Sequence, residues 1–241
     1  MNTASSVDPS VDPSTDPSTD PSTETMARCP LCGTDRTHPY HRDKTRDYLH
    51  CGICTLVFVP SSQHLSAADE KAYYDLHDNH LDDLGYRRFL ERLFVPLNAR
   101  LKPSALGLDV GCGPGPLLAA MFGEAGHRVT VYDPFYAPDT SVLSGPYDFI
   151  TLSEVVEHMA RPGADLDRLW TALKPGGWLG IMTKRVRDLD AFQTWHYITD
   201  PTHVSFFADT TFFWLIDHWS LMGAPATLTI ESDDVVLIKK G

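Results

Sequence analysis

The pattern of apolar and polar positions changes character along the chain. Residues 7–22, VDPSVDPSTDPSTDPS, show no apolar period. A proline every fourth residue removes backbone donors and bars helix, and nothing there can be buried. The pattern predicts a disordered acidic tail over 1–25. Further on, Tyr73, Leu76, His80, Leu84, Phe89, Leu93 and Leu97 recur at mostly helical spacings, with Gly85 and Pro96 as interruptions. This predicts a helical bridge over 61–102. Ala105 to Val110 is a short apolar run with the length of a strand, and Leu117 to Phe122 then reads as a helix opened by Pro116. The remaining alternation, to residue 241, belongs to one larger domain over 103–241.

Composition narrows the class. The chain has 241 residues, 42% of them hydrophobic, enough for a full core beside a small module. No apolar run approaches membrane-spanning length, and the polar start lacks the pattern of a signal peptide, so a cytoplasmic protein without a membrane partner is expected. Net charge is −12, which repels polyanions unless a local basic face exists. Arg42, Lys44 and Arg46, then Arg87, Arg88 and Arg92, then Lys184, Arg185 and Arg187 form only short clusters, read as solvated faces. Nucleic acid is disfavoured as a partner, though not excluded. Oligomeric state is not readable.

Residues 26–60 carry a stronger signal. Cys29 and Cys32, then Cys51 and Cys54, make two C-x2-C turns separated by eighteen residues, with Gly33 and Gly52 set to supply the tight turns. Two such turns can aim four thiolates at the corners of a tetrahedron around Zn2+. A redox dithiol or disulfides are the alternatives; paired knuckles favour zinc. Four sulfurs would leave no open position, so the metal would be structural. On this reading the cysteines saturate the only metal site in view.

Residues 105–115, ALGLDVGCGPG, place Asp109 at a strand end and Gly111, Gly113 and Gly115 in the following loop. Glycines let backbone approach a ligand without a Cβ in the way. A dinucleotide fingerprint has a third glycine where Pro116 stands, which argues against a pyrophosphate site and an NAD reductase. LDVGCGPG resembles the first motif of class I S-adenosylmethionine-dependent methyltransferases.

Three further stretches agree. HRVTVYD, residues 127–133, is similar to the second strand with its terminal acid, Asp133, whose carboxylate would accept ribose hydroxyls. YDFITLSEVVEHMARP, residues 147–162, resembles the fourth strand and the Glu-x-x-Glu-His segment of the ubiquinone-methyltransferase-like subgroup. LWTALKPGGWLGIMT, residues 169–183, resembles the helix, Lys-Pro-Gly-Gly turn and fifth strand. The end fits as well: a helix over Thr210–Trp219 capped by Gly223, then two strands as a hairpin around Glu231 to Asp234. The resemblance implies an α/β, Rossmann-like doubly wound sheet with an antiparallel final strand. It implies S-adenosylmethionine held by Asp109, Gly111, Cys112, Gly113, Gly115, Asp133, Pro134 and Ser153. Cys112 by itself reads as a small packed residue.

One departure matters. Only thirteen residues separate Asp133 from Tyr147, and Pro134, Pro138 and Pro146 oppose a helix there. The third strand is therefore expected to be reduced or absent, and Phe135 or Tyr136 to stack on the adenine in place of its usual contact.

Methyl transfer needs positioning and sometimes removal of a proton. Ligands of open α/β sheets lie beyond the strand ends, which nominates Glu157 and His158 after the fourth strand, with Glu154 near one side of a helix start. Helix-terminus charge for Glu157 and pocket shaping for His158 are the plainer readings. WHYITDPTHVSFF, residues 195–207, follows the fifth strand. Its Asp200-Pro201-Thr202-His203 is similar to the histidine-bearing segment of zinc-containing sugar C-methyltransferases, in which that histidine is thought to act as base. That family also carries a cysteine zinc module before the methyltransferase domain, but its long C-terminal domain has no counterpart in this sequence, so its substrate does not carry over. His203 is left as general base or as a packed loop histidine. Tyr74, His77, Asn79 and Tyr86 are placed to form a lid, or simply to pack an amphipathic helix.

The reading is a small-molecule methyltransferase with an N-terminal zinc ribbon. A non-catalytic binding protein on the same fold and an RNA methyltransferase are the alternatives.

Overall fold

The computed structural model describes residues 1, 27–76 and 83–241; the expected tail, and His77, Asn79 and His80 of the bridge, lie outside the described residues. Two antiparallel strands, β1 (Thr37–Arg42) and β2 (Asp47–Cys51), follow the first cysteine turn, and a short β3 (Val57–Phe58) follows the second. The first turn uses Gly33 at φ +73°, whereas in the second the left-handed residue is Thr55 at φ +60°, not Gly52. A short helix α1 (Ala67–Tyr74) is started by Ser66, whose hydroxyl accepts from the Asp69 N–H. Helix α2 (Leu84–Asn98) is started by Asp83, whose carboxylate accepts from Gly85 and Tyr86. The expected interruptions do not break it. Gly85 sits in its first turn and Pro96 in its last, where the ring leaves most of the helix ladder intact.

The larger sheet is built from β4 (Leu106–Val110), β5 (Arg128–Tyr132), β6 (Tyr147–Ser153) and β7 (Leu173–Met182), which run parallel, and from an antiparallel hairpin completed at the chain end. Helix α3 (Leu117–Glu124) connects β4 to β5, and α4 (Pro162–Ala172) connects β6 to β7. After β7 come α5 (Leu189–Gln193), a two-residue β8 (Ser205–Phe206), α6 (Asp209–Leu221), β9 (Ala226–Ile230) and β10 (Val235–Lys240). Spatial order is β5-β4-β6-β7-β10-β9, with β10 antiparallel to both neighbours. This is the α/β sheet the sequence resemblance implies.

Successive strand residues face opposite sides, and the core splits accordingly. Phe149 packs with Leu90, Leu93 and Leu97 of α2 and Phe122 of α3. Its neighbour Ile150 packs with Leu166 and Trp170 of α4 and with Trp219 of α6. Between β5 and β6 the chain makes only a 3-10 turn, Thr140–Ser144, so β5 is the sheet's edge and no third strand is present among the described residues. Thirteen residues with three prolines cannot supply a crossover helix and a strand. The Lys-Pro-Gly-Gly stretch, expected as a turn, lies inside β7; its extra residues loop out between the Tyr147–Leu173 and Phe149–Trp178 pairs, with Gly176 at φ +78°.

The cysteine module does not close on itself. Its sheet has the order β1-β2-β3-β8, so its last strand is borrowed from the segment after α5, with Val57 opposite Phe206 and Phe58 opposite Ser205.

Candidate functional site

A cavity of about 780 Å³ opens beyond the carboxyl ends of β4, β5 and β6, where open α/β sheets bind ligands. Its floor is the loop after β4. Gly111 adopts φ +72°, and a Cβ there would lie 2.4 Å from a methyl of Val155, so only glycine fits. Gly113 adopts φ +62° with open space where a Cβ would stand. Gly111, Cys112 and Gly113 line the cavity. Burial and the nearby carboxylates push the Cys112 thiol up to about 12, so it stays protonated. Gly115 and Asp109 do not reach the wall. Gly115 accepts from the Leu117 N–H at the start of α3. Asp109 is buried beneath the loop, where the Thr151 hydroxyl donates to it at 2.7 Å and burial pushes its carboxyl up to about 7.

Asp133 ends β5 and is 6% exposed. One carboxylate oxygen accepts from the Gly113 N–H at 3.0 Å; the other accepts from Phe135 and Tyr136 at 2.8 and 3.0 Å. One side chain thus ties the glycine loop to the turn after β5. Pro134, Phe135 and Tyr136 continue the wall, and Ser153 adds a buried hydroxyl with no partner. Opposite lie Tyr74, Tyr86 and Phe89 from α1 and α2. The Tyr136 hydroxyl donates to Asp75 at 2.6 Å, and the Tyr74 ring meets Phe135 and His158 at 5.8 and 5.3 Å, so α1 lies across the mouth.

At the end of β6 the chain turns sharply. Glu154 takes φ +53° and its N–H donates to the Met182 carbonyl; it does not begin a helix, contrary to expectation. Val156–His158 form a 3-10 turn, and α4 starts only at Pro162. Glu154 lines the cavity, where burial and Asp234 push its carboxyl up to about 7. Glu157 is fully buried behind the wall and accepts from the Tyr197 hydroxyl; burial and the Glu154 charge push it up to about 8, so it is largely neutral at neutral pH. Its other oxygen has no partner.

His158 and His203 both face the cavity, with ring centroids 4.7 Å apart. The Nδ1 of His203 lies 2.7 Å from the Tyr197 carbonyl, which can only accept, so Nδ1 carries the proton and Nε2 keeps its lone pair. Burial lowers the His203 pKa below its ordinary value, favouring the neutral ring. Asp200 holds its own loop, accepting from the Thr202 N–H and hydroxyl at 2.8 and 2.5 Å.

Among the described residues two groups could hold metal. The sulfurs of Cys29, Cys32, Cys51 and Cys54 lie within 4.8 Å of one another, with Cys29–Cys54 and Cys32–Cys51 at 3.5 Å. A Zn–S bond of about 2.3 Å implies a tetrahedron edge of roughly 3.8 Å, so the cluster needs only slight expansion. Ligand atoms of Glu157, His158 and His203 also lie within 4.8 Å of one another. This corrects the reading that the cysteines form the only metal-capable cluster. Glu157 and His158 are far from His203 in sequence, and only the fold brings them together. Sequence reasoning also missed Glu70, Phe89, Asp165 and Arg168 on the cavity wall, and Tyr197 behind it. The aromatic richness of residues 195–207 was the one available signal.

Among the described residues no helix is long and apolar enough to cross a membrane. The chain is similar over 99 residues, at 30% identity, to the ubiquinone biosynthesis O-methyltransferase of Paraburkholderia phytofirmans; the match covers 32% of this chain and 43% of that protein. The corresponding enzyme of Caulobacter vibrioides is 32% identical over 100 residues, covering 32% of this chain and 39% of the relative. The chain thus matches less than half the length of these relatives. A solved 1,6-didemethyltoxoflavin-N1-methyltransferase from Burkholderia thailandensis, with 1,6-didemethyltoxoflavin and S-adenosylhomocysteine bound, aligns over 84% of this chain and 98% of its own at 17% identity, with a TM-score of 0.46. A family model described as a methyltransferase domain matches residues 79–218, more than half of the chain, and the chain belongs to that family.

Proposed function

We propose that the protein transfers the methyl group of S-adenosylmethionine to a small-molecule acceptor bound in the cavity. The observation that carries this reading is the joint between Gly113 and Asp133: a positive-φ loop in which Gly111 leaves no room for a Cβ, tied to a buried carboxylate at the next strand end, both beside one cavity. Gly111 and Gly113 would let the methionine portion approach the backbone. Asp133 would exchange its N–H partners for the ribose hydroxyls. Phe135, and Leu143 from the 3-10 turn that replaces the third strand, would flank the adenine.

The cofactor supplies an activated methyl on a sulfonium, displaced in line by the acceptor's lone pair with S-adenosylhomocysteine leaving. The protein's own work is to orient the acceptor, exclude water and take one proton. His203 is the base: its Nε2 lone pair accepts the acceptor's proton, while the Tyr197 carbonyl stabilises the resulting imidazolium through Nδ1–H. Tyr74, Tyr86 and Phe89 form an aromatic wall suited to a flat acceptor. The wall's acids, Glu70, Asp133, Asp165 and Asp200, outnumber Arg161 and Arg168, which disfavours an anionic one. Cys29, Cys32, Cys51 and Cys54 would hold a structural Zn2+, and the expected lid role falls to Tyr74 and Tyr86.

Transfer of a tritiated methyl from S-adenosylmethionine to a panel of small phenols, catechols and amines, with RNA as a parallel arm, tests the substrate class. Labelling of a small acceptor, lost in His203→Gln, is the expected result. Labelling of RNA alone would overturn it.

A further inference from the structure

Arg46 belongs to a short basic cluster that reads in the sequence as a solvated face, yet it is 7% exposed. Its guanidinium reaches more than 150 positions along the chain to the His203 segment. Nη1 donates to the carbonyls of Pro201 and His203 at 3.0 and 2.9 Å. Nη2 donates to those of Ile198 and Asp200 at 2.6 and 2.9 Å. Each Nη carries two N–H groups, so all four are used, and on one loop. Asp43 orders the turn that presents Arg46, accepting from the Arg46 N–H at 2.7 Å and from the Tyr48 hydroxyl at 2.6 Å. On the other side of His203, Val204 is clasped twice: its N–H donates to the Glu157 carbonyl, and its carbonyl accepts from the Val59 N–H. Strand β8 then completes the module's sheet.

We infer that the N-terminal cysteine module is a splint for the His203 loop, and that Arg46 is a positioning residue that sets the imidazole against the cavity without touching substrate. The inference rests on the base role proposed for His203. The physical reason is the loop's composition. Residues 198–203 turn four carbonyls toward the guanidinium and carry a proline, and the one backbone bond that reaches any of these four from inside the loop is the His203 N–H to the Asp200 carbonyl at 3.3 Å. A planar fork with paired donors meets that need, whereas an ammonium offers a single point charge.

The test compares full-length 15N-labelled wild type with Arg46→Met, Arg46→Lys and the exposed control Arg42→Met. It reads the His203 ring tautomer, amide exchange over residues 199–204, and affinity for S-adenosylhomocysteine. In wild type and Arg42→Met, His203 should hold a single Nδ1–H tautomer. Arg46→Met should populate both tautomers and lower protection of 199–204 by at least about tenfold, with cofactor affinity within about twofold of wild type. Arg46→Lys should fall between. An unchanged tautomer and loop in Arg46→Met, full rescue by lysine, protection lost equally in β4 and β6, or failure of both Arg46 variants to fold would each overturn the inference. Absence of S-adenosylhomocysteine binding in wild type would instead count against the methyltransferase reading, while the loop measurements would still report on Arg46.

Discussion

Two loops face each other across the cavity, and they are held in different ways. The glycine loop after β4 is fastened by its own neighbourhood: the Gly111 N–H donates to Tyr132 at the end of the adjacent strand, and Gly113 donates to Asp133. The histidine loop after α5 is fastened from afar, by Arg46 and Val59 of a module that lies on the far side of the bridge in sequence. The first needs only a strand, a turn and an acid in order. The second needs a folded partner. Cofactor binding should therefore depend on local backbone geometry, and proton removal on long-range packing, so the two functions should be separable by substitution.

The largest separation is expected at His203. His203→Gln should leave S-adenosylhomocysteine affinity within about twofold and lower turnover by about 10²–10⁴, the usual worth of a positioned base; single-turnover methyl transfer alongside calorimetry reads both. A parallel loss of affinity would mean the residue only packs. The converse change is Gly111→Ala. A Cβ there meets Val155 at 2.4 Å in a backbone region that disfavours side chains, so a stability loss of about 2–4 kcal/mol and roughly a hundredfold weaker cofactor binding are expected, read by thermal unfolding and calorimetry.

Asp133→Asn sharpens the comparison on the same side. An amide keeps one acceptor oxygen but turns a donor toward N–H groups. Cofactor affinity should fall about 10- to 100-fold, while the His203 ring signals stay unmoved.

The smallest effect is a pH dependence. Glu157 is raised in the folded protein to about 8, above its ordinary 4.5. A raised pKa means the folded state holds a proton the unfolded chain has released, so this stabilising contribution is complete below pH 4.5 and lost as pH rises through about 8. His203 has the opposite sign: its lowered pKa makes stability fall as pH drops below its ordinary value. The two slopes oppose each other just below pH 6.5, and only the Glu157 slope remains above it, so thermal midpoints should fall between pH 6.5 and about 8. Glu157→Gln should flatten the alkaline side by a few degrees, about what 1 kcal/mol shifts a domain of this size. An unchanged alkaline limb would show that Glu157 is already neutralised otherwise.

What the sequence made legible follows the same division. The glycine loop, Asp133, the closing hairpin and the missing third strand all rest on short spans: three glycines at fixed spacing, one acid eighteen residues on, and thirteen residues too few and too rich in proline for a crossover. The cysteine cluster is legible for the same reason. The borrowed strand β8, the four-carbonyl grip of Arg46 and the meeting of Glu157 and His158 with His203 are contacts across 45 to 157 positions, and no period or spacing encodes them. Glu154 misleads in the other direction. Its place before Glu157 and His158 looks helical, but its φ is +53° and its N–H is given to the Met182 carbonyl of the neighbouring strand.

The glycine loop and Asp133 are proposed to form an S-adenosylmethionine site. Titration calorimetry of the unaltered full-length protein with S-adenosylhomocysteine tests it directly. One site per chain is expected, with Kd in the range of about 1 µM to 1 mM, weakened in Asp133→Asn and unaffected in His203→Gln. Heat no greater than dilution at millimolar ligand, with the protein folded, would contradict it.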